Sequence, residues 1–130
     1  MEELIARVAA AADIPADQAE RAIGLVFAFL RREAPAEVED MLREVPGATE
    51  AAERGEADKP KANGMMGGLM TMLGNGGGLM GLASQLTGIG LGTGEMTTVG
   101  KEIFGYAREK AGDERVGKVA AAVPGLGQFV

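Results

Sequence analysis

Apolar residues recur at helical spacing near both ends of the chain, and the two ends carry the same pattern. From position 19 to position 30 they fall at i, i+3, i+4, i+7, i+8 and i+11, which places them on one face of an α-helix. The arrangement returns 77 positions later, and further along the offset becomes 78, as if one residue had been inserted. The matched positions are Ala19/Met96, Ala22/Val99, Ile23/Gly100, Val26/Ile103, Phe27/Phe104, Leu30/Ala107, Val38/Val116, Met41/Val119, Leu42/Ala120 and Val45-Pro46-Gly47/Val123-Pro124-Gly125. This pattern predicts two copies of one three-helix unit.

Proline and glycine residues divide the first copy into its helices. A short opening helix is predicted to end near Ala12, and a second helix starts after Pro15 and runs to about Glu33. Pro35 begins a third helix, which Pro46-Gly47 stops.

The second copy predicts the same three parts. Its opening helix carries Leu79, Leu82, Ala83 and Leu86. A long helix follows, with Thr93 as its N-cap, and ends near Ala111; the last helix starts at Asp113. Leu91 matches Ile14 at the same offset, which predicts an apolar residue closing the turn before each long helix.

The predicted fold is an all-α helical bundle, built from two pseudo-repeated three-helix units at residues 1–47 and 79–130 that together form one compact domain. The centre of the core is predicted at Phe27, Phe104, Leu30, Val26 and Ile103. A linker over 48–78 joins the units. Its first part, 48–61, is rich in Ala, Glu and Lys and is expected to be solvated and flexible beyond a brief helical extension, whereas its second part is rich in Gly and Met.

Composition excludes several kinds of chemistry. The chain has no Cys and no His, and Ser84 is its one Ser, so a Ser-His-Asp triad, a His- or Cys-ligated zinc and a Glu-x-x-His di-iron site cannot be assembled. The net charge is −6, with fourteen acids and eight bases through Lys61 and five of each afterwards. No clustered basic face is available, so nucleic-acid binding is not predicted. The acidic start of the chain lacks the features of a secretory signal, which predicts a cytoplasmic protein.

Residues 62–94 carry no charge and are the most suggestive functional feature. Their length would allow a membrane span, and Gly64/Gly68 and Gly77/Gly81 have the spacing of packed membrane helices. Asn63, Asn75 and the glycines dilute the apolar residues, so contact with a membrane surface is the alternative rather than a span. The simplest interpretation is that the leucines and methionines of this segment fold back onto the two units and close the core.

A dense group of thioether and leucine side chains lies in this segment. We call it the Met/Leu surface: Met65, Met66, Leu69, Met70, Met72, Leu73 and Met80. Methionine fills irregular gaps in cores, but a flexible Met-rich groove also accepts varied apolar partners. Cu(I) would suit the sulfurs, yet such sites usually recruit His or Cys, so no metal and no cofactor are predicted.

Other motifs have structural explanations. Gly76–Gly81 matches G-x-G-x-x-G, but no strand precedes it. Glu37, Asp40 and Glu44 share a helical face that looks solvated, with Glu39/Arg43 forming an i,i+4 pair nearby. Arg31-Arg32 and Arg108 suit the C-terminal ends of the two long helices, and Tyr106 is predicted at an edge of the core or of an interface.

The order of features from Met41 onward resembles a known family. Val45-Pro46-Gly47-Ala48 leads into a Gly-, Leu- and Met-rich stretch, followed by Leu79-x-x-Leu82-Ala83, Gly90-Leu91 and a helix ending at Ala111-Gly112. This arrangement is similar to the uncharacterised small bacterial proteins named after VcgC and VcgE, and the segment from Ile14 to Ala22 resembles another uncharacterised family of helical repeats. Neither resemblance implies a catalytic residue.

The sequence therefore predicts a non-enzymatic interaction module that self-associates or binds a protein partner through the Met/Leu surface. Two small aliphatic units joined by glycine-rich chain are expected to leave apolar area exposed, and such patches usually mark partners. The alternative is a protein that binds an apolar ligand or a membrane surface through the same segment. No small-molecule substrate is evident.

Overall fold

The computed structural model describes residues 2–57 and 78–123, and within these ranges every regular element is helical. The helices are α1 (Glu2–Ala12), α2 (Ala16–Glu33), α3 (Pro35–Glu44), α4 (Ala48–Ala57), α5 (Gly78–Gly88), α6 (Thr93–Ala111) and α7 (Asp113–Ala122). The predicted all-α bundle is confirmed. Residues 58–77, which include most of the Gly- and Met-rich part of the predicted linker, lie outside the described residues.

Prolines and a glutamate fix the helix starts much as predicted. Pro15 directly precedes α2, and Pro35 is the first residue of α3. The prediction that Thr93 caps the long helix is wrong, because Thr93 is already helical and Gly92 occupies the cap position. The Gly92 N–H instead donates to Oε1 of Glu95 at 3.0 Å. The carboxylate in the first turn thus satisfies a backbone donor that the helix leaves free.

Helix α2 is the centre of the fold. It packs against α1, α3, α4, α5 and α6, and all nine residues from Ala22 to Leu30 are buried. The five side chains predicted at the centre of the core are all buried: Phe27, Phe104, Leu30, Val26 and Ile103. Among the described residues no polar or charged residue is buried. The core is therefore held by apolar contact alone.

The two halves of the chain share this core by crossed packing. Helix α1 packs more extensively on α6 than on its own neighbour α2, whereas α5 packs mainly on α2. Helices α3 and α7 pack on each other. Ile14 and Leu91, the apolar residues before the two long helices, are both buried. Each opening helix thus covers the long helix of the other half.

Helix α4 corrects the expectation that the chain after residue 47 is solvated. A buried stripe at helical spacing runs along α4 and consists of Ala48, Ala51, Ala52 and Gly55. The contact of α2 with α4 is more extensive than its contact with any other described helix. The helices approach so closely that a Cβ built on Gly24 would lie 2.9 Å from the Ala51 carbonyl oxygen. Alanine and glycine add little apolar signal to a charged segment, which is why composition suggested a flexible linker.

Candidate functional site

The predicted Met/Leu surface lies almost wholly outside the described residues. Met65, Met66, Leu69, Met70, Met72 and Leu73 fall there, and Met80 lies in α5, where its side chain is not described. The helices on either side of residues 58–77 are α4 and α5. Leu82 and Leu86 of α5 are buried, and α4 and α5 both pack on α2. The described helices on either side of residues 58–77 therefore both pack on α2.

Two of the three candidate carboxylates of α3, Asp40 and Glu44, lie in ion pairs between helices. Oδ2 of Asp40 lies 3.1 Å from Nε of Arg115 on α7, and Oε1 of Glu44 lies 4.0 Å from its Nη2. Nη1 of Arg115 also donates to the Ala111 carbonyl at 3.0 Å. Within the described ranges no three acidic residues come together as metal ligands. Asp40 and Glu44 therefore join α3 to α7.

A second charged cluster fixes α1 on α6. Nη1 of Arg7 donates to Oε2 of Glu109 at 2.8 Å, and this hydrogen bond raises the pKa of Arg7 against the opposing effect of desolvation. The Arg7 guanidinium lies 5.6 Å from the centroid of the Tyr106 ring, and Lys110 Nζ lies 5.4 Å from it. Tyr106 is buried, as expected for a residue at an edge of the core. The arrangement therefore joins α1 to α6.

A surface cavity of about 250 Å³ lies where α2, α3 and α4 meet. Its lining residues are Arg31, Glu39, Leu42, Arg43 and Thr49. Nη1 of Arg31 is buried and has no hydrogen-bond partner, and Nε of the same residue is 3.9 Å from Oε1 of Glu39. The predicted Glu39/Arg43 pair is wrong, since Glu39 lies beside Arg31 instead.

Sequence reasoning attributed Arg31 to the dipole of α2 and missed this cavity. The cavity exists because α4 docks on α2 and brings Thr49 beside α3, and that docking was not predicted. Nothing in the sequence marks Arg43 and Thr49 as residues of a binding site, because single exposed polar residues are common on any helical surface.

No helix within residues 2–57 or 78–123 combines the length and the hydropathy needed to cross a bilayer.

Comparisons with known proteins identify no relative of this chain. No family model, curated protein or solved structure matches the chain.

Proposed function

We propose that this protein is a non-enzymatic helical module that self-associates through the Met/Leu surface. One observation supports this most: residues 58–77 are bounded on both sides by helices that pack on α2, and the stretch 62–94 has no charge. The Met/Leu surface is thereby tethered to a folded body at both ends. An uncharged segment rich in Met and Leu, attached to a folded domain, is stabilised when its apolar side chains are buried against a second protein surface.

The proposal includes two pseudo-repeated units within one compact domain. Helices α2 and α6 start at residues 16 and 93, and α3 and α7 start at 35 and 113, which matches the offsets of 77 and 78. The crossed packing of α1 on α6 and of α5 on α2 supports an approximate twofold arrangement. Membership of the VcgC/VcgE-like bacterial family and a cytoplasmic location are proposed on sequence grounds alone.

A non-catalytic role is supported by what the polar side chains do. Two of the three acidic residues considered on α3, Asp40 and Glu44, pair with Arg115 and so already stabilise a contact between helices, as does the pair of Glu109 with Arg7. Such exposed pairs contribute about 0–1 kcal/mol each to stability.

Sedimentation velocity from low to high micromolar concentration tests self-association. We expect the average mass of the wild-type chain to rise with concentration, and the double variant Met70→Glu/Leu73→Glu to remain monomeric because charges resist burial. The matched control Asn63→Glu/Asn75→Glu adds the same charge to the same segment without removing an apolar side chain, and should still associate. A wild-type monomer at every concentration contradicts the proposal, as does equal behaviour of the two variants.

Flotation with lipid vesicles distinguishes self-association from the alternative function, binding to a membrane surface. If the wild-type protein is monomeric and floats with neutral phosphatidylcholine vesicles, and Met70→Glu/Leu73→Glu does not float, the protein binds membrane surfaces. The proposal of self-association is then wrong. Failure to float, together with a mass that rises with concentration, leaves protein association as the function of the Met/Leu surface.

A further inference from the structure

We propose that the cavity between α2, α3 and α4 binds a small oxyanion, the carboxylate or phosphate group of a small molecule. Arg31, Arg43 and Thr49 supply its donors. None of its lining residues belongs to the Met/Leu surface, and binding there does not depend on self-association.

The incompletely paired guanidinium group of Arg31 is the first reason. Nη1 has less than 1 Å² of accessible surface and no acceptor within reach. This burial keeps Nη1 from a ligand, but 27% of the Arg31 side chain is accessible, and guanidinium groups bind carboxylates and phosphates through paired N–H donors. The contact with Glu39 does not meet the need, because 3.9 Å from Nε to Oε1 exceeds hydrogen-bond distance. A bound anion can therefore accept hydrogen bonds from the accessible part of the Arg31 guanidinium group.

The surrounding charge is the second reason. Arg43 makes no ion pair with any described residue, although it lies in an acidic chain. Two guanidinium groups against Glu39 alone leave the lining with a net positive charge. Helix α4 begins at Ala48, so Thr49 offers its hydroxyl from the first helical turn, where the helix dipole also favours an anion. These donors come from three different helices and face one concavity.

The size of the cavity sets the ligand class. A volume of about 250 Å³ lies just below the range of about 300–1,000 Å³ typical of pockets for drug-sized ligands. It suits a small organic acid or a phosphorylated fragment, and Leu42 supplies the apolar part of the lining.

Titration of the full-length protein by ¹⁵N NMR, with guanidinium signals included, tests the site. The probes are sodium phosphate and sodium acetate, each compared with sodium chloride at equal ionic strength. We expect saturable shifts centred on Arg31, Arg43 and Thr49 with at least one oxyanion and not with chloride. Saturation by phosphate alone assigns a phosphate group to the ligand, and saturation by acetate assigns a carboxylate.

Substitutions that act in opposite directions make the test specific. Arg43→Gln should weaken binding at least about tenfold, since it removes a charge-assisted contact. Glu39→Gln should strengthen it several-fold by removing the competing carboxylate. Arg108→Gln on α6 changes the net charge equally outside the cavity and should leave binding unchanged. Shifts that do not saturate, or equal effects of Arg43→Gln and Arg108→Gln, overturn the proposal. Arg43 is exposed, so its variant is expected to fold and can be checked by thermal melting.

Discussion

Replacement of Gly55 by alanine should destabilise the protein by about 2–3 kcal/mol, despite a gain of about 1 kcal/mol in helix propensity. A Cβ at this position would overlap the carbonyl group of Gly24 and lie 2.9 Å from the Leu25 nitrogen. These are backbone atoms of the central helix, so no side chain can rotate away. Helix α4 would have to separate from α2 and give up part of the contact made by Ala48, Ala51 and Ala52.

Two other glycines provide controls of opposite sign. A Cβ on Gly105 or on Gly117 would meet no atom within 4 Å, and both residues lie inside helices. Alanine at either position should therefore stabilise the protein by about 0.5–1 kcal/mol. Urea unfolding followed by circular dichroism measures all three variants. If Gly55→Ala proves as stable as Gly105→Ala, the close approach of α4 to α2 is wrong.

Replacement of Gly55 by alanine also tests the link between the packing of α4 and the proposed oxyanion site. Thr49 belongs to the cavity only while α4 stays docked. In Gly55→Ala, weakened docking should therefore also weaken oxyanion binding, although Gly55 does not line the cavity.

Helix boundaries were predictable because proline and glycine act locally. Pro15, Pro35 and Gly112 constrain their own backbone, so α2, α3, α6 and α7 end or begin within a residue or two of the predicted positions. Helix α4 was not predicted as a packed element, because its inward face consists of alanine and glycine. Their contribution depends on close approach to a partner helix, and the apolar pattern of one segment does not reveal that partner.

The repeated sequence pattern pairs α2 with α6, but it does not predict which faces the two helices bury. Gly24 on α2 aligns with Lys101 on α6 at the 77-residue offset, and Lys101 is exposed while Gly24 is covered by α4. Helix α2 is consequently buried on more sides than α6, which keeps exposed charges at Lys101 and Arg108. The candidate cavity depends on this difference, because α4 brings Thr49 beside Arg31. Within the described residues, no helix follows α7 as α4 follows α3.

Separation of the chain into fragments 1–57 and 78–130 should give a second half that does not fold by itself. Helix α5 finds its main partner, α2, in the other fragment, and α6 loses the cover of α1. Ile103, Phe104 and Tyr106, all buried in the intact protein, would lose much of that cover. Burying a large aliphatic or aromatic side chain contributes about 1.5–3 kcal/mol, so such losses exceed the few kcal/mol by which a small domain is stable.

Mixing the fragments should restore helical structure, because the crossed packing needs both halves and not the covalent connection between them. Far-ultraviolet circular dichroism of the equimolar mixture should exceed the sum of the separate spectra, and a 1:1 complex should appear by size-exclusion chromatography. Val8→Asp in fragment 1–57 should prevent recovery, since Val8 is fully buried on α1, whereas Ala10→Asp on the exposed side of the same helix should permit it. A fragment 78–130 that unfolds cooperatively with full helicity when alone would show that its core needs neither α1 nor α2, and the shared-core architecture would then be wrong.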